Sequence, residues 1–324
     1  MRAVICKEFG PIGSLVVEHF DLPPPGPGQA RVRVEAAGVN FPDTLMVQGK
    51  YQVRPDLPFV PGAELAGVVD AVGEGATDLK PGMKVIGMVG LGAFAEAANV
   101  RTSRLLRRPE SMNAVTAAGF SMTYGTSMHA LKQRAQLKPG ETLLVLGASG
   151  GVGLAAVELG KAMGATVIAA ASSQEKLKIA AEAGADHLVD YLKESLKDRV
   201  KEITGGKGAD VAYDPVGGDF LEEAVRASAW EGRVLVVGFA SGTIPRVPAN
   251  LLLLKGCALI GVFFGTFRDK DPQANRRNFD EMFEWYEQGR LKPLVSRTMD
   301  ISEVVSAFNV LVSREAIGKI VLTT

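Results

Sequence analysis

Apolar and polar positions alternate along the first third of the chain and gather into continuous apolar runs along the middle. Arg31-Val-Arg-Val-Glu-Ala-Ala37 places an apolar side chain at every second position, the period of a half-buried strand. Residues 65–72 and 84–89 read as further strands, separated by Gly73-Glu-Gly75 and Lys80-Pro-Gly82 turns. Pro23-Pro-Pro-Gly-Pro-Gly28 is a stiff connector that cannot enter a sheet interior, because proline has no N–H for the ladder. This portion is predicted to form a compact, irregular β-barrel.

Near residue 115 the pattern changes. Residues 114–134 read as helix, and Pro139-Gly140 then leads into Thr142-Leu-Leu-Val-Leu146, an apolar run typical of a buried parallel strand. Strands are predicted at 166–171, 187–191, 211–214, 233–237 and 258–263. Helices are predicted at 152–163, 174–182, 192–203 and 220–229. Six strands with intervening helices define a doubly wound α/β sheet of the dinucleotide-binding kind. Helices at 278–288 and 301–312 and a short strand at 318–322 complete the chain. The most economical arrangement returns this tail to the N-terminal domain.

Composition excludes function classes and leaves the fold untouched. Lys plus Arg and Asp plus Glu both number 36, so no global field attracts a polyanion, which argues against a nucleic-acid partner. The N-terminus, Met1-Arg-Ala-Val-Ile-Cys-Lys-Glu8, carries a charge at Lys7 and lacks the apolar core of a signal peptide. The longest apolar stretches, 251–254 and 257–264, are too short to span a bilayer. A cytoplasmic protein without a membrane partner is expected. Cys6 and Cys257 make neither a disulfide framework nor a metal spacing and are expected to be buried apolar thiols.

The strongest local motif is Leu146-Gly147-Ala-Ser-Gly150-Gly151-Val-Gly153-Leu154, which follows an apolar strand and opens a helix. Glycines serve a tight turn, close approach of the backbone to a pyrophosphate and packing of helix on strand. The helix N-terminus offers N–H groups and partial positive charge to the phosphates. An NAD site places an acid at the end of the second strand to hold the ribose 2′-hydroxyl. Here that strand ends Ile168-Ala-Ala-Ala-Ser172-Ser173-Gln174-Glu175-Lys176, with small hydroxyls and a cation that would accept a 2′-phosphate. The expected cofactor is NADPH.

Three further segments carry a family resemblance. The first is Ala37-Gly-Val-Asn40-Phe-Pro-Asp43, with Gln48-Gly-Lys-Tyr51 and Leu57-Pro-Phe-Val-Pro-Gly62-Ala-Glu64-Leu-Ala-Gly67-Val-Val69 after it. The second is Ala148-Ser-Gly-Gly-Val-Gly153. The third joins Trp230-Glu-Gly-Arg-Val-Leu-Val-Val-Gly238-Phe-Ala240 and Asn250-Leu-Leu-Leu-Leu-Lys255. Together they resemble the zinc-free, zeta-crystallin-like quinone oxidoreductases of the medium-chain dehydrogenase/reductase superfamily, within the quinone oxidoreductase-like 2 subgroup. The resemblance runs the length of the chain. It implies a central Rossmann domain, residues 120–265, and a GroES-like domain made from residues 1–119 and 266–324. It also implies a homodimer joined through the last Rossmann strands, where 257–264 is an uncharged apolar edge.

The resemblance places cofactor contacts at Ala148, Gly150, Gly151, Val152 and Gly153 for the phosphates. For the 2′-phosphate it places them at Ser172, Lys176, Tyr191 and Arg314. Asn40, Thr123, Gly238, Phe239, Phe263 and Phe264 would line the nicotinamide end. Zinc alcohol dehydrogenases of the superfamily use a Gly-His-Glu triplet and two cysteines for the metal. Here the triplet is Gly62-Ala63-Glu64, and no Cys lies between Lys7 and Gly256. His19, His129 and His187 are too scattered to replace them, so no metal is expected.

Without a Lewis acid to polarise an alcohol, the chemistry that remains is hydride donation to an electron-poor small molecule, a quinone, enone or activated alkene. Asn40 and Tyr51 are the candidate hydrogen-bond donors to the developing oxyanion. Family quinone reductases carry Tyr where this chain has Leu45. The setting of Tyr51 is also similar to that of the tyrosine proton donor in medium-chain enoyl-thioester reductases. Two further readings therefore stand beside the quinone or enone reductase: a 2-enoyl-thioester reductase and an NADPH-binding protein with little turnover.

Overall fold

Strand Gln29–Val39 organises the first of two units into which the chain divides. Its alternate residues Ala30, Val32 and Val34 are buried while Arg33 is exposed, as the sequence period requires. Burying a valine contributes roughly 1.5–3 kcal/mol, so this inward row sets the strand's register. Two register shifts, between Arg31 and Val32 and between Val34 and Ala36, bend the strand against Glu64–Val72. The seven-stranded sheet runs Val295–Asp300, Lys319–Thr323, Gln29–Val39, Glu64–Val72, Lys84–Met88, Leu105–Arg107, with Ala97–Arg101 also paired to Gln29–Val39. The terminal strand pairs antiparallel with the end of Gln29–Val39, Ile320 opposite Val39, so both ends of the chain share one core.

The computed structural model describes all 324 residues: Met1–Met122 with Pro293–Thr324 form the first unit, Thr123–Lys292 the second. The second unit is a six-stranded parallel sheet. Its order is His187–Asp190, Thr166–Ala171, Thr142–Leu146, Ala209–Asp214, Ser228–Val236, Ala258–Gly261. The first strand in sequence, Thr142–Leu146, lies centrally, and the order reverses beside it. The carboxyl ends of Thr142–Leu146 and Ala209–Asp214 therefore flank a topological switch point, where α/β sheets bind ligands.

Several sequence expectations are revised. The single helix at 114–134 is three pieces, Ala114–Ala118, Ser121–Met128 and a π-helical turn His129–Arg134. Gly119 caps the first piece, and its missing side chain makes room for Lys319, whose Cβ lies 3.2 Å from where a Gly119 Cβ would stand. The helix at 192–203 begins at Leu196, because Asp190 Oδ1 accepts the Leu192 N–H and Ser195 caps the helix at Asp198. The last parallel strand stops at Gly261, and Phe264–Lys270 and Pro272–Glu287 are helices.

The domain boundaries move with them. The break expected at 265/266 falls at 292/293, and the one at 119/120 falls at 122/123. Paired amides explain the first: Gln133 Nε2 donates to Asn278 Oδ1 (3.0 Å) and Asn278 Nδ2 to Gln133 Oε1 (3.1 Å), tying Pro272–Glu287 into the second unit. No helix is long and apolar enough to cross a membrane.

Candidate active site

The glycine turn in the second unit is built by its neighbours. Gly147 adopts φ 57°, a left-handed conformation that glycine enters without strain. The Ala148 N–H donates to Ala170 O (3.2 Å), and the Gly150 N–H closes the turn on Gly147 O (3.0 Å). Helix Gly151–Ala162 then starts with Gly150 as its N-cap. A Cβ on Gly153 would lie 2.2 Å from Gly147 O, so only glycine lets the helix seat on the turn. Ala148, Gly150, Gly151, Val152 and Gly153 thus lie together where the central strand ends and the helix begins, Ala148 and Gly153 buried and Gly150, Gly151 and Val152 partly exposed. The arrangement fits a dinucleotide pyrophosphate.

Of the expected 2′-phosphate residues, Ser172, Lys176 and Tyr191 lie in the second unit, just beyond the ends of strands Thr166–Ala171 and His187–Asp190. Ser173 caps helix Gln174–Glu182, accepting the Lys176 N–H, and Lys176 Nζ donates to Ser172 Oγ (3.3 Å). The Tyr191 N–H donates to Ala171 O (3.2 Å) and its ring packs on Phe220 at 4.4 Å. Arg314 lies in the first unit with φ 61°. Gly238 and Phe239 lie on the loop after Ser228–Val236. Gly217 lacks a side chain where a Cβ would stand 2.8 Å from the Phe239 ring. The buried Asp214 carboxylate holds that neighbouring loop by accepting the Val216 and Gly217 N–H groups, and burial pushes its pKa up to about 6.

Phe263 and Phe264 separate in role. Phe263 is exposed at the start of helix Phe264–Lys270. The Phe264 ring is buried against Gly125, where a Cβ would sit 2.4 Å from it, so its area is spent on packing.

The first unit carries a buried polar cluster. Lys319 Nζ donates to Val39 O (2.8 Å), Asn40 Oδ1 (2.8 Å) and Glu64 Oε1 (2.7 Å), using all three of its hydrogens. Asn40 Nδ2 donates to Glu64 Oε1 (2.9 Å) and Gly38 O (3.2 Å). This corrects the reading of Asn40 as a donor to substrate: both amide hydrogens are already committed. Asn40 is instead held in a fixed orientation. The Asn40 N–H donates to Asp43 Oδ2 (2.8 Å), while Asp43 Oδ1 is buried without a partner, and burial pushes this carboxyl up to about 7.

Tyr51 packs, half-buried, on the hydrophobic core of the same unit. Burial, with the Asp43 charge second, raises its phenol above the ordinary value. It therefore stays protonated at neutral pH and can donate a hydrogen bond. Thr123 is buried where helix Ser121–Met128 enters the second unit.

Sequence reasoning missed Lys319, and it gave Glu64 no role. It also missed Ser127, whose hydroxyl donates to Val152 O (2.9 Å) and meets the Tyr213 hydroxyl (2.9 Å), bracing the first turn of the phosphate helix. A tyrosine beside Val211 and Ala212 in strand Ala209–Asp214 was the available signal, because a buried phenol needs a partner. Nothing comparable marked Lys319.

A doubly wound sheet with a glycine-lined phosphate turn and a curved sheet built from both chain ends define a medium-chain dehydrogenase/reductase. Residues 26–110 match the alcohol dehydrogenase GroES-like domain family and residues 151–287 the zinc-binding dehydrogenase family. No group of three or more His, Cys, Asp or Glu side chains that could hold a metal ion is present. The chain is 41% identical to the quinone oxidoreductase-like protein 2 homolog of Nematostella vectensis, over 100% of this chain and 89% of that one. It is 34% identical to the 2-haloacrylate reductase of a Burkholderia species, over 99% of this chain and 98% of that one. The Escherichia coli quinone oxidoreductase complexed with NADPH superposes with a TM-score of 0.92 at 29% identity, over 100% of each chain. The chain belongs to the quinone oxidoreductase branch of the medium-chain dehydrogenase/reductase superfamily.

Proposed function

We propose that this chain is an NADPH-dependent, metal-independent reductase of quinones or activated alkenes and enones. The observation that carries the cofactor assignment is the Ser172–Lys176 pair, standing where an NAD site would place an acid. A carboxylate there would repel a 2′-phosphate; an ammonium beside a hydroxyl receives one. NADPH, when bound, supplies the hydride from nicotinamide C4. The glycine turn holds the pyrophosphate, and Ser172, Lys176 and Tyr191 select the phosphorylated ribose, with Arg314 as a further phosphate contact. Asn40, Thr123, Gly238 and Phe239 line the nicotinamide end, and Phe263 borders it.

Lys176→Ala is expected to weaken NADPH about tenfold to a hundredfold, the worth of a charge-assisted hydrogen bond of ~1.5–3 kcal/mol. NADH affinity should not change. Fluorescence titration of both cofactors checks this, and equal losses would count against the 2′-phosphate assignment.

Tyr51 is the donor to the substrate oxygen as negative charge develops there. Its hydroxyl makes no hydrogen bond within the first unit and remains available, unlike the Asn40 amide. The 2-haloacrylate reductase relative supports an activated alkene as an alternative acceptor to a quinone. NADPH consumption with 9,10-phenanthrenequinone, an enone and a crotonyl thioester separates the substrate classes. Tyr51→Phe should lower kcat/KM on the accepted substrates by about tenfold to a hundredfold. Unchanged values on both quinone and enone would remove Tyr51 from the mechanism, and no turnover with any acceptor would leave a cofactor-binding protein.

The protein is further proposed to work in the cytoplasm as a homodimer. Ala258–Gly261 is the outer strand of the parallel sheet, with Leu259 and Phe263 exposed beside it. Light scattering of the purified chain tests the dimer.

A further inference from the structure

We propose that the buried Lys319–Glu64 ion pair is the positioning device for the nicotinamide end of the site, orienting the Asn40 amide and the backbone entering Thr123. The inference rests on the reading that Asn40 and Thr123 line that end.

Glu64 is fully buried and spends both oxygens: Oε1 accepts from Lys319 Nζ and Asn40 Nδ2, Oε2 from the Met122 N–H at 2.8 Å. Met122 directly precedes Thr123 in the chain. One carboxylate therefore holds the side chain of Asn40 and the main chain next to Thr123. The ammonium fixes the other polar atom of the Asn40 amide, its Oδ1, so the amide cannot rotate. Two glycines clear the space. A Cβ on Gly38 would stand 2.3 Å from Glu64 Oε1 and 2.3 Å from Ala118 O, and one on Gly119 would stand 3.2 Å from Lys319 Cβ.

Stability alone does not call for this arrangement. Well-packed apolar residues of similar volume usually serve a core at least as well as a buried ion pair. What apolar residues cannot supply is direction. Here five hydrogen bonds from Lys319, Asn40 and Met122 converge on or beside a single carboxylate, from a terminal strand, a helix N-cap and a helix far apart in sequence. Displacing a lining group by about 1 Å is enough to cost roughly a hundredfold in rate, so a rigid anchor at this point has a kinetic use.

Lys319→Arg tests the geometry with the charge kept. A planar guanidinium cannot meet three converging oxygens as an ammonium does. The expected outcome is a folded protein whose affinity for 2′,5′-ADP stays within about twofold, whose bound NADPH shows a shifted nicotinamide emission, and whose kcat falls about tenfold or more. Wild-type emission and kcat in this variant would overturn the proposal. Lys319→Met with Glu64→Gln removes both charges together and decides the matter if the arginine variant does not fold. A near-native melting temperature with kcat still about tenfold down supports positioning; kcat within about twofold of wild type shows charge compensation only and overturns it. Asn40→Ala runs alongside. Full activity there removes the reading on which the inference stands, whereas loss of activity in Asn40→Ala with none in the Lys319 variants refutes the inference alone.

Discussion

Gly153→Ala is expected to raise the dissociation constant for NADPH by on the order of a hundredfold, an effect of about 2.7 kcal/mol. The new Cβ would stand 2.2 Å from Gly147 O, 2.8 Å from Gly147 C and 3.0 Å from Ala148 Cα. All three are backbone atoms of the phosphate turn, so no side chain can rotate aside. Either helix Gly151–Ala162 lifts away from the sheet or the turn opens, and both move the N–H groups that face the pyrophosphate. Overpacking of this kind costs about 1–3 kcal/mol in stability as well, so the melting temperature should fall in the same variant. Gly150→Ala is the control. Its Cβ would meet Gly147 O at 3.5 Å, an ordinary contact, and its φ of −77° suits any residue. That variant should keep its melting temperature, measured beside NADPH titration of both.

Lys319→Met alone is expected to destabilise folding by about 3–5 kcal/mol, the usual cost of leaving one member of a buried ion pair without its partner. Glu64 has no solvent to turn to. Asn40 Nδ2 and the Met122 N–H remain as donors, but neither carries a charge. Denaturant unfolding should show the midpoint fall with an unchanged slope. Adding Glu64→Gln to the same chain should return much of the loss, because the uncompensated charge then disappears. A loss below about 1 kcal/mol in Lys319→Met would mean that Glu64 takes up a proton or finds another cation.

The phosphate turn is legible in the amino-acid sequence. Its glycines, the apolar strand ahead and the helix behind lie within about two dozen consecutive residues, and each meaning is set by near neighbours. The Ser172–Lys176 pair is legible for the same reason: one helical turn brings those residues together. Helix ends are less so. The start at Leu196 depends on Asp190 accepting the Leu192 N–H, a choice between two local hydrogen-bonding patterns that composition does not settle. Phe264 is a cofactor contact only by the family resemblance. Its ring is instead buried against Gly125, which only the packing of Ser121–Met128 could decide.

The sequence by itself therefore determined the two kinds of sheet, the cofactor turn and its preference for a phosphorylated ribose. Those follow from periodicity, glycine conformation and charge over short spans. The tertiary structure decided what Asn40 does. Its partners are Glu64 and Lys319, 24 and 279 positions away. In sequence it is a free amide in a family motif; in the fold it is a fully engaged one. Which distant strands become neighbours is settled by the whole apolar core, and a buried charge can be given its partner only after that choice is made.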